Sequence, residues 1–180
     1  MTIHRLPAVA LQRIGEIDRS EDSQISYKQN GSELLSRRVT WRIRRWSLDP
    51  RDGFSVQGQV NHWEPIVSNG GYLLGALLED RLLGFAILRP ELSPGTAELA
   101  ALFVDRGYRR MGIATALLRA IEAAASQVGA NRLYVSSVPS EAAVGFYLDQ
   151  GFHPAANANP ELVRRKPTDI HLVKRLQIDS

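Results

Sequence analysis

Between Val104 and Ala114 the chain reads Val-Asp-Arg-Gly-Tyr-Arg-Arg-Met-Gly-Ile-Ala, and these residues could hold an anion on their backbone. An apolar run, 97–104, leads in with strand character, and a helical period leads out from Gly112. At a helix start the first amides have no intrahelical acceptor, and the helix dipole adds positive potential. A short basic loop ahead of such a start makes a pocket whose natural occupant is a pyrophosphate. Small residues at Gly112 and Ala114 let phosphate oxygens approach the amides of residues 110 to 115. Arg109 could add a charge-assisted contact. Taken alone the pattern Arg-x-x-Gly-x-Ala is weak, and a flexible helix entry is the plain alternative. The segment has neither the glycine-lysine pattern of a P-loop nor the Gly-x-Gly-x-x-Gly of a dinucleotide fingerprint.

A second candidate stands in the strand that feeds this loop. Glu98 is the only carboxylate within residues 96–104. On strict alternation it shares a face with Ala100, Leu102 and Val104. A partly buried carboxylate there would have a raised pKa suited to a general base. A strand-end glutamate in solvent, or one that orients an amine, is the alternative.

Other chemistries are removed by composition. The 180 residues contain no cysteine, so disulfides, thiolate nucleophiles and sulfur-bound metals are excluded. There is no Gly-x-Ser-x-Gly elbow. His4, His62, His153 and His171 lack metal-ligand spacing and read as surface or turn histidines, so no metal is expected. No apolar run is long enough for a membrane span and no signal-peptide core is visible, which makes the cytoplasm the default expectation. With 44% hydrophobic and 23% charged residues the chain reads as one globular domain over 1–180. The net charge of +3 does not imply a general polyanion binder.

The surrounding pattern says how these residues are positioned. Residues 9–20 fit an amphipathic helix with Ala10, Ile14 and Ile17 on one stripe, Leu11 at its edge and Gly15 interrupting. Residues 39–46 alternate as a strand, 49–53 form a turn, and 54–67 read as a helix. Tyr72–Leu78 and Arg81–Arg89 read as a hairpin buried on both faces, with 96–104 as its third strand. Residues 112–128 carry a strong helical stripe, Ile113, Leu117, Ile121, Ala124 and Val128, stopped by Gly129. A strand over 132–138, a helix from an N-cap at Ser140 to Gln150, and a last strand over 169–176 complete the order. A strand–helix–strand crossover after an antiparallel meander predicts a mixed, mostly antiparallel α/β sheet with helices on both faces.

Residues 96–152 resemble the acyl-CoA core of the GNAT N-acetyltransferase superfamily. The resemblance rests on Val104 through Ala114 together with Ala143-Val144-Gly145-Phe146-Tyr147-Leu148-Asp149-Gln150-Gly151-Phe152. Two linked motifs at this spacing are specific, though they cover only about a third of the chain well. Ala114 stands where glycine is commoner, and Ser140 where the family has asparagine. The resemblance implies an acetyl-CoA cosubstrate. Its diphosphate would lie on Arg109, Arg110, Met111, Gly112, Ile113, Ala114 and Thr115, and its pantetheine arm would pair with Leu102, Phe103 and Val104 as an added strand. Ser140, Ala143 and Phe146 would border the arm, with Phe146 packed into the core. Tyr147 would act as general acid toward the leaving thiolate, and Glu98 as general base through water, in direct attack by an amine. A packing role for Tyr147 is the alternative.

For the acceptor the resemblance points only to residues 1–70 and a late hairpin. Asp18, Glu21 and Asp22 could attract a cationic amine, or be a solvated helix end. Trp63 and Tyr72 could wall a pocket, or pack in the core. A small-molecule or peptide amine is the expected partner, without nucleic acid or membrane, and a homodimer is compatible. A non-catalytic acyl-CoA sensor on the same fold is the second function class. A third is nucleic-acid binding through Arg37, Arg38, Arg42, Arg44 and Arg45 interleaved with Trp41 and Trp46. A half-buried strand with a solvated basic face is the simpler account of that stretch.

Overall fold

Three apolar runs at 72–104 pair as an antiparallel meander, and the other elements assemble around it. The computed structural model describes residues 1–177; residues 178–180, included in the single-domain expectation, lie outside the described residues. In chain order the elements are β1 (Thr2–Leu6), a 3₁₀ helix (Ala8–Glu16), β2 (Glu21–Asn30), β3 (Glu33–Ile43), α1 (Val56–Ser68), β4 (Tyr72–Leu78), β5 (Arg81–Ser93) and β6 (Thr96–Val104). A short 3₁₀ turn (Arg106–Tyr108) follows, then α2 (Ile113–Gln127), β7 (Arg132–Ser137), α3 (Glu141–Asp149), β8 (His153–Pro154), α4 (Pro160–Arg165) and β9 (Ile170–Arg175).

Seven strands form one sheet in the order β1-β4-β5-β6-β7-β9-β8, and β2 and β3 pair apart as a ribbon. Among the described strands only β6 and β7 run parallel. This is the mixed, mostly antiparallel α/β sheet that the sequence predicts. On one face α2 and α3 bury Leu117, Leu118, Ile121, Val144 and Tyr147 against Leu99, Leu133 and Leu172. On the other, the first 3₁₀ helix and α1 bury Leu11, Ile14, Ile17 and Trp63 against Phe85 and Ile87. Val128, expected in the α2 stripe, caps the helix and is 41% exposed.

The first helix differs from expectation for a visible reason. Its buried residues are Leu11, Ile14 and Ile17, three apart, while Ala10 is only partly buried. A spacing of three matches the 3₁₀ turn, where side chains at i and i+3 eclipse. β2 was not legible because Glu-Asp-Ser-Gln-Ile-Ser-Tyr-Lys-Gln-Asn carries almost no apolar alternation.

β6 departs from strict alternation. Ile87 pairs with Ala101 but Leu88 pairs with Leu99, so Ala100 is an extra residue in β6. Such a bulge flips the faces on either side of it. Glu98 therefore lies on the face of Ala101 and Phe103, opposite Leu102 and Val104, and not with them as alternation implied.

β6 and β7 part beyond the Leu99–Val135 pair, while β6 stays paired with β5 to Val104. The result is a wedge that opens toward the N-terminus of α2. The ribbon reaches both lips of the wedge. At one end Glu21 and Asp22 meet Arg109 and Arg106. Further along β2, Tyr27 N–H donates to the Pro139 carbonyl, and Ser26 bridges Ser140.

Candidate functional site

The open edge of β6 follows from peptide geometry. The amide of Asp105 donates to Leu83 in β5, so the carbonyl of Val104, in the same trans peptide, points to the other edge. The Phe103 carbonyl faces β5, close enough that a Cβ on Gly84 would meet it at 2.8 Å. Leu102 and Val104 thus turn their polar groups into the wedge and Phe103 does not, since neighbours alternate along a strand. Phe103 instead puts its ring among Phe85, Trp46 and Trp63.

The turn before α2 is open. Arg110 and Gly112 both have positive φ, 62° and 78°, a curl that aims successive amides at one point. Among the described residues the amides of Met111 to Thr115 have no acceptor; the first helical bond runs from Ala116 to Gly112. No atom lies within 4 Å of a Cβ built on Gly112, and Met111 is 67% exposed. Ile113 anchors the turn with its side chain in the core, and Ala114 and Thr115 are half-buried.

Arg109 has partners within the protein. Its Nε donates to the Val104 carbonyl at 3.3 Å and its Nη1 lies 3.9 Å from Glu21, so it braces the wedge, while Arg110 remains exposed. The acidic group is committed too. Asp18 pairs with Arg45, and Asp22 with Arg42 and Arg106. The backbone of Asp18 is also clamped to Asp105 and Arg106. These carboxylates tie the ribbon to the turn.

α3 borders the wedge. Ser140 is fully buried, and its hydroxyl accepts from the amide of Ala143. It caps the helix, and its O–H donor is left over after that bond. Ala143 and Phe146 are half-buried. Tyr147 is the more deeply buried of the aromatic pair, edge-on to Phe146 and Phe152. Burial raises its pKa, which keeps the hydroxyl protonated.

Glu98 is 4% exposed, and burial raises its pKa against the pull of Arg89. Beside it in register is Tyr134 on β7, whose hydroxyl accepts from Asn159 N–H and meets Nδ1 of His171 at 2.8 Å. Which of the two donates depends on the tautomer of His171, since a hydroxyl can accept twice or donate once. His171 is a buried strand histidine, 4% exposed, with burial lowering its pKa, rather than a surface one. His62 is half-buried on α1 beside Arg165, while His4 and His153 are exposed.

His171 also lines a cleft of about 830 Å³ between the ribbon and residues 155–169, with Tyr27, Arg37, Trp41, Pro139 and Asp169. Trp63 lies in the core and Tyr72 packs under Arg5; neither lines this cleft. Trp46 is buried with its indole N–H on the Ile17 carbonyl. Arg37, Arg38, Arg42, Arg44 and Arg45 are exposed, which fits a solvated basic face. Nothing in the sequence pattern singles out Arg89, Tyr134, Glu161 or Asp169. Asn159-Pro160-Glu161, a cap followed by proline and an acid, was a usable signal for α4.

The sequence profile described as the acetyltransferase (GNAT) family matches residues 38–152. No curated protein matches the sequence. Among solved structures, nourseothricin acetyltransferase superposes with a TM-score of 0.71 at 14% identity, covering 98% of this chain and 98% of that one. An aminoglycoside 6'-N-acetyltransferase complexed with coenzyme A gives 0.66 at 15% identity, over 100% and 99%. The paia N-acetyltransferase of Thermoplasma acidophilum, in complex with coenzyme A, gives 0.62 at 19% identity, over 97% and 99%. At these identities the likeness is one of fold.

Proposed function

This chain belongs to the acetyltransferase (GNAT) family, and from that premise we propose that it moves an acetyl group from acetyl-CoA to the primary amine of a small molecule by direct attack. The observation that carries the reading is the run of unpaired amides from Met111 to Thr115 beside the open edge of β6. A diphosphate suits them: they point outward from a helix start, and Gly112 leaves room for close approach. Arg110 is free to add charge. Leu102 supplies a strand-like donor and acceptor and Val104 its amide for the pantetheine arm, and one of those amides polarises the thioester carbonyl. Acetyl-CoA supplies the activated acyl group.

Glu98 takes the proton of the attacking amine, through water, with Tyr134 beside it. Tyr147, kept protonated by burial, gives a proton to the departing thiolate. The amine enters by the cleft under the ribbon, where the aromatic walls of Tyr27 and Trp41 suit a ring-bearing molecule. Nourseothricin and aminoglycoside acetyltransferases, which share this fold, are consistent with a small-molecule acceptor.

Thermal melting tests the first half. Linkage gives about 2.7 kcal/mol at a hundredfold excess of acetyl-CoA over its Kd, so no shift at millimolar acetyl-CoA removes the reading. CoA release with 2-phenylethylamine, L-lysine, spermidine and kanamycin tests the second. Binding without transfer to any of them would leave an acyl-CoA-binding module.

A further inference from the structure

Among the described residues Glu98 has one arginine within 4 Å, and that arginine is engaged elsewhere. Nη1 of Arg89 lies 2.9 Å from Oε1 of Glu161, and Nη2 donates to Oε2 at 3.4 Å. From Nη1 to Oε2 of Glu98 the distance is 3.6 Å, past hydrogen-bond range. That Oε2 is buried and has no hydrogen-bond partner among the described residues. An unpaired buried carboxylate oxygen costs free energy, yet a rotation of Arg89 would satisfy it.

α4 is what prevents the rotation. Asn159 caps it by accepting from the amides of Glu161 and Leu162, and its own N–H donates to the Tyr134 hydroxyl. Leu162 is 2% exposed against Tyr134 and Ala155. The helix is thus pinned to β7, and Glu161 on its first turn is held where it draws Arg89 outward.

We propose that Glu161 is a positioning residue for the transfer reaction: by holding Arg89 it keeps Glu98 out of a full ion pair and able to accept a proton. The charged and titratable groups that face Glu98 are Arg89 from β5, Tyr134 from β7, and Glu161 and Arg165 from α4. With Arg89 fully on Glu98, the carboxylate would be a weak base. With Arg89 shared, its proton affinity stays in a working range. This proposal rests on the reading of Glu98 as the base.

The test is the titration of the Glu98 side-chain carboxyl by carbon NMR in the full chain, assigned by its absence in Glu98→Gln. Glu161→Gln should lower the midpoint by about one pH unit, because Arg89 is released and a repelling charge is removed. Arg89→Gln should raise it, and Glu161→Asp should bring it back toward the parent value. Glu161 is a partly exposed residue, so its variants keep the fold. A midpoint that is unmoved or raised in Glu161→Gln overturns the proposal. In CoA release with the fastest amine of the panel above, the acid limb of kcat/KM should move down by the same amount. If the titration shifts as described but Glu98→Gln transfers at the parent rate, Glu98 is not the base and the positioning role falls, while the sharing of Arg89 stands as a structural fact.

Discussion

The turn ahead of α2 uses main-chain amides from five consecutive residues, whereas the group around Glu98 uses side chains from β5, β6, β7, β9 and α4. Backbone sites depend on φ and ψ and tolerate changes of side chain. Side-chain sites depend on residue identity and on the packing that holds distant elements together. The two regions should therefore fail in opposite ways when altered.

The largest effect belongs to the side-chain region. Glu98→Gln keeps the shape and removes the base, so kcat should fall about 10²-fold or more while Kd for acetyl-CoA stays unchanged. A fall in affinity instead would blur the division between the two regions. The next is in the turn. Gly112 has φ 78°, and a β-branched residue there costs roughly 1–3 kcal/mol. Gly112→Val should weaken acetyl-CoA about tenfold or more by calorimetry, whereas Met111→Ala, which leaves the backbone alone, should change it less than about twofold.

Tyr147→Phe is expected to lower kcat by about tenfold, less than Glu98→Gln because a thiolate leaves readily. The core should tolerate it, since the ring is retained; a large fall in melting temperature would mark the hydroxyl as structural. The smallest effect is on stability. Burial, then Arg165 and Lys166, push His62 down to about 4, against about 6.5 unfolded. The unfolded chain then binds more protons between those values, so this contribution is present above about pH 6.5 and is lost as pH falls toward 4. Water screens the half-buried ring, which leaves about 1 kcal/mol between pH 7 and pH 5. Urea midpoints at the two pH values should show it in the parent and not in His62→Gln.

The same contrast explains what was legible in the sequence. The turn could be read because its parts are contiguous: a strand, Gly112, then an apolar stripe led by Ile113 and Leu117. The meander could be read because Tyr72–Leu78, Arg81–Arg89 and Thr96–Val104 are dense apolar runs. Alternation finds Glu98 but puts it on the wrong face, since a bulge at Ala100 leaves no mark in composition. Ser140 is legible as a cap because it stands at the start of the 140–150 helical pattern, and its hydroxyl does accept from the amide of Ala143. Arg89, Tyr134 and Glu161 were invisible because nothing local ties residues 45 and 27 positions apart in the chain to one point. The acidic residues 18, 21 and 22 look like an amine attractor in sequence because their arginine partners, Arg42, Arg45, Arg106 and Arg109, lie 20 or more positions away.

The central claim is that the amides of Met111 to Thr115 hold the diphosphate of acetyl-CoA. It is tested most directly by titrating the nitrogen-labelled protein with acetyl-CoA and following each backbone amide by NMR. The largest saturable shifts should fall at residues 111–115, with smaller ones at Leu102 and Val104. Saturation that leaves 111–115 unmoved while other residues shift would contradict it.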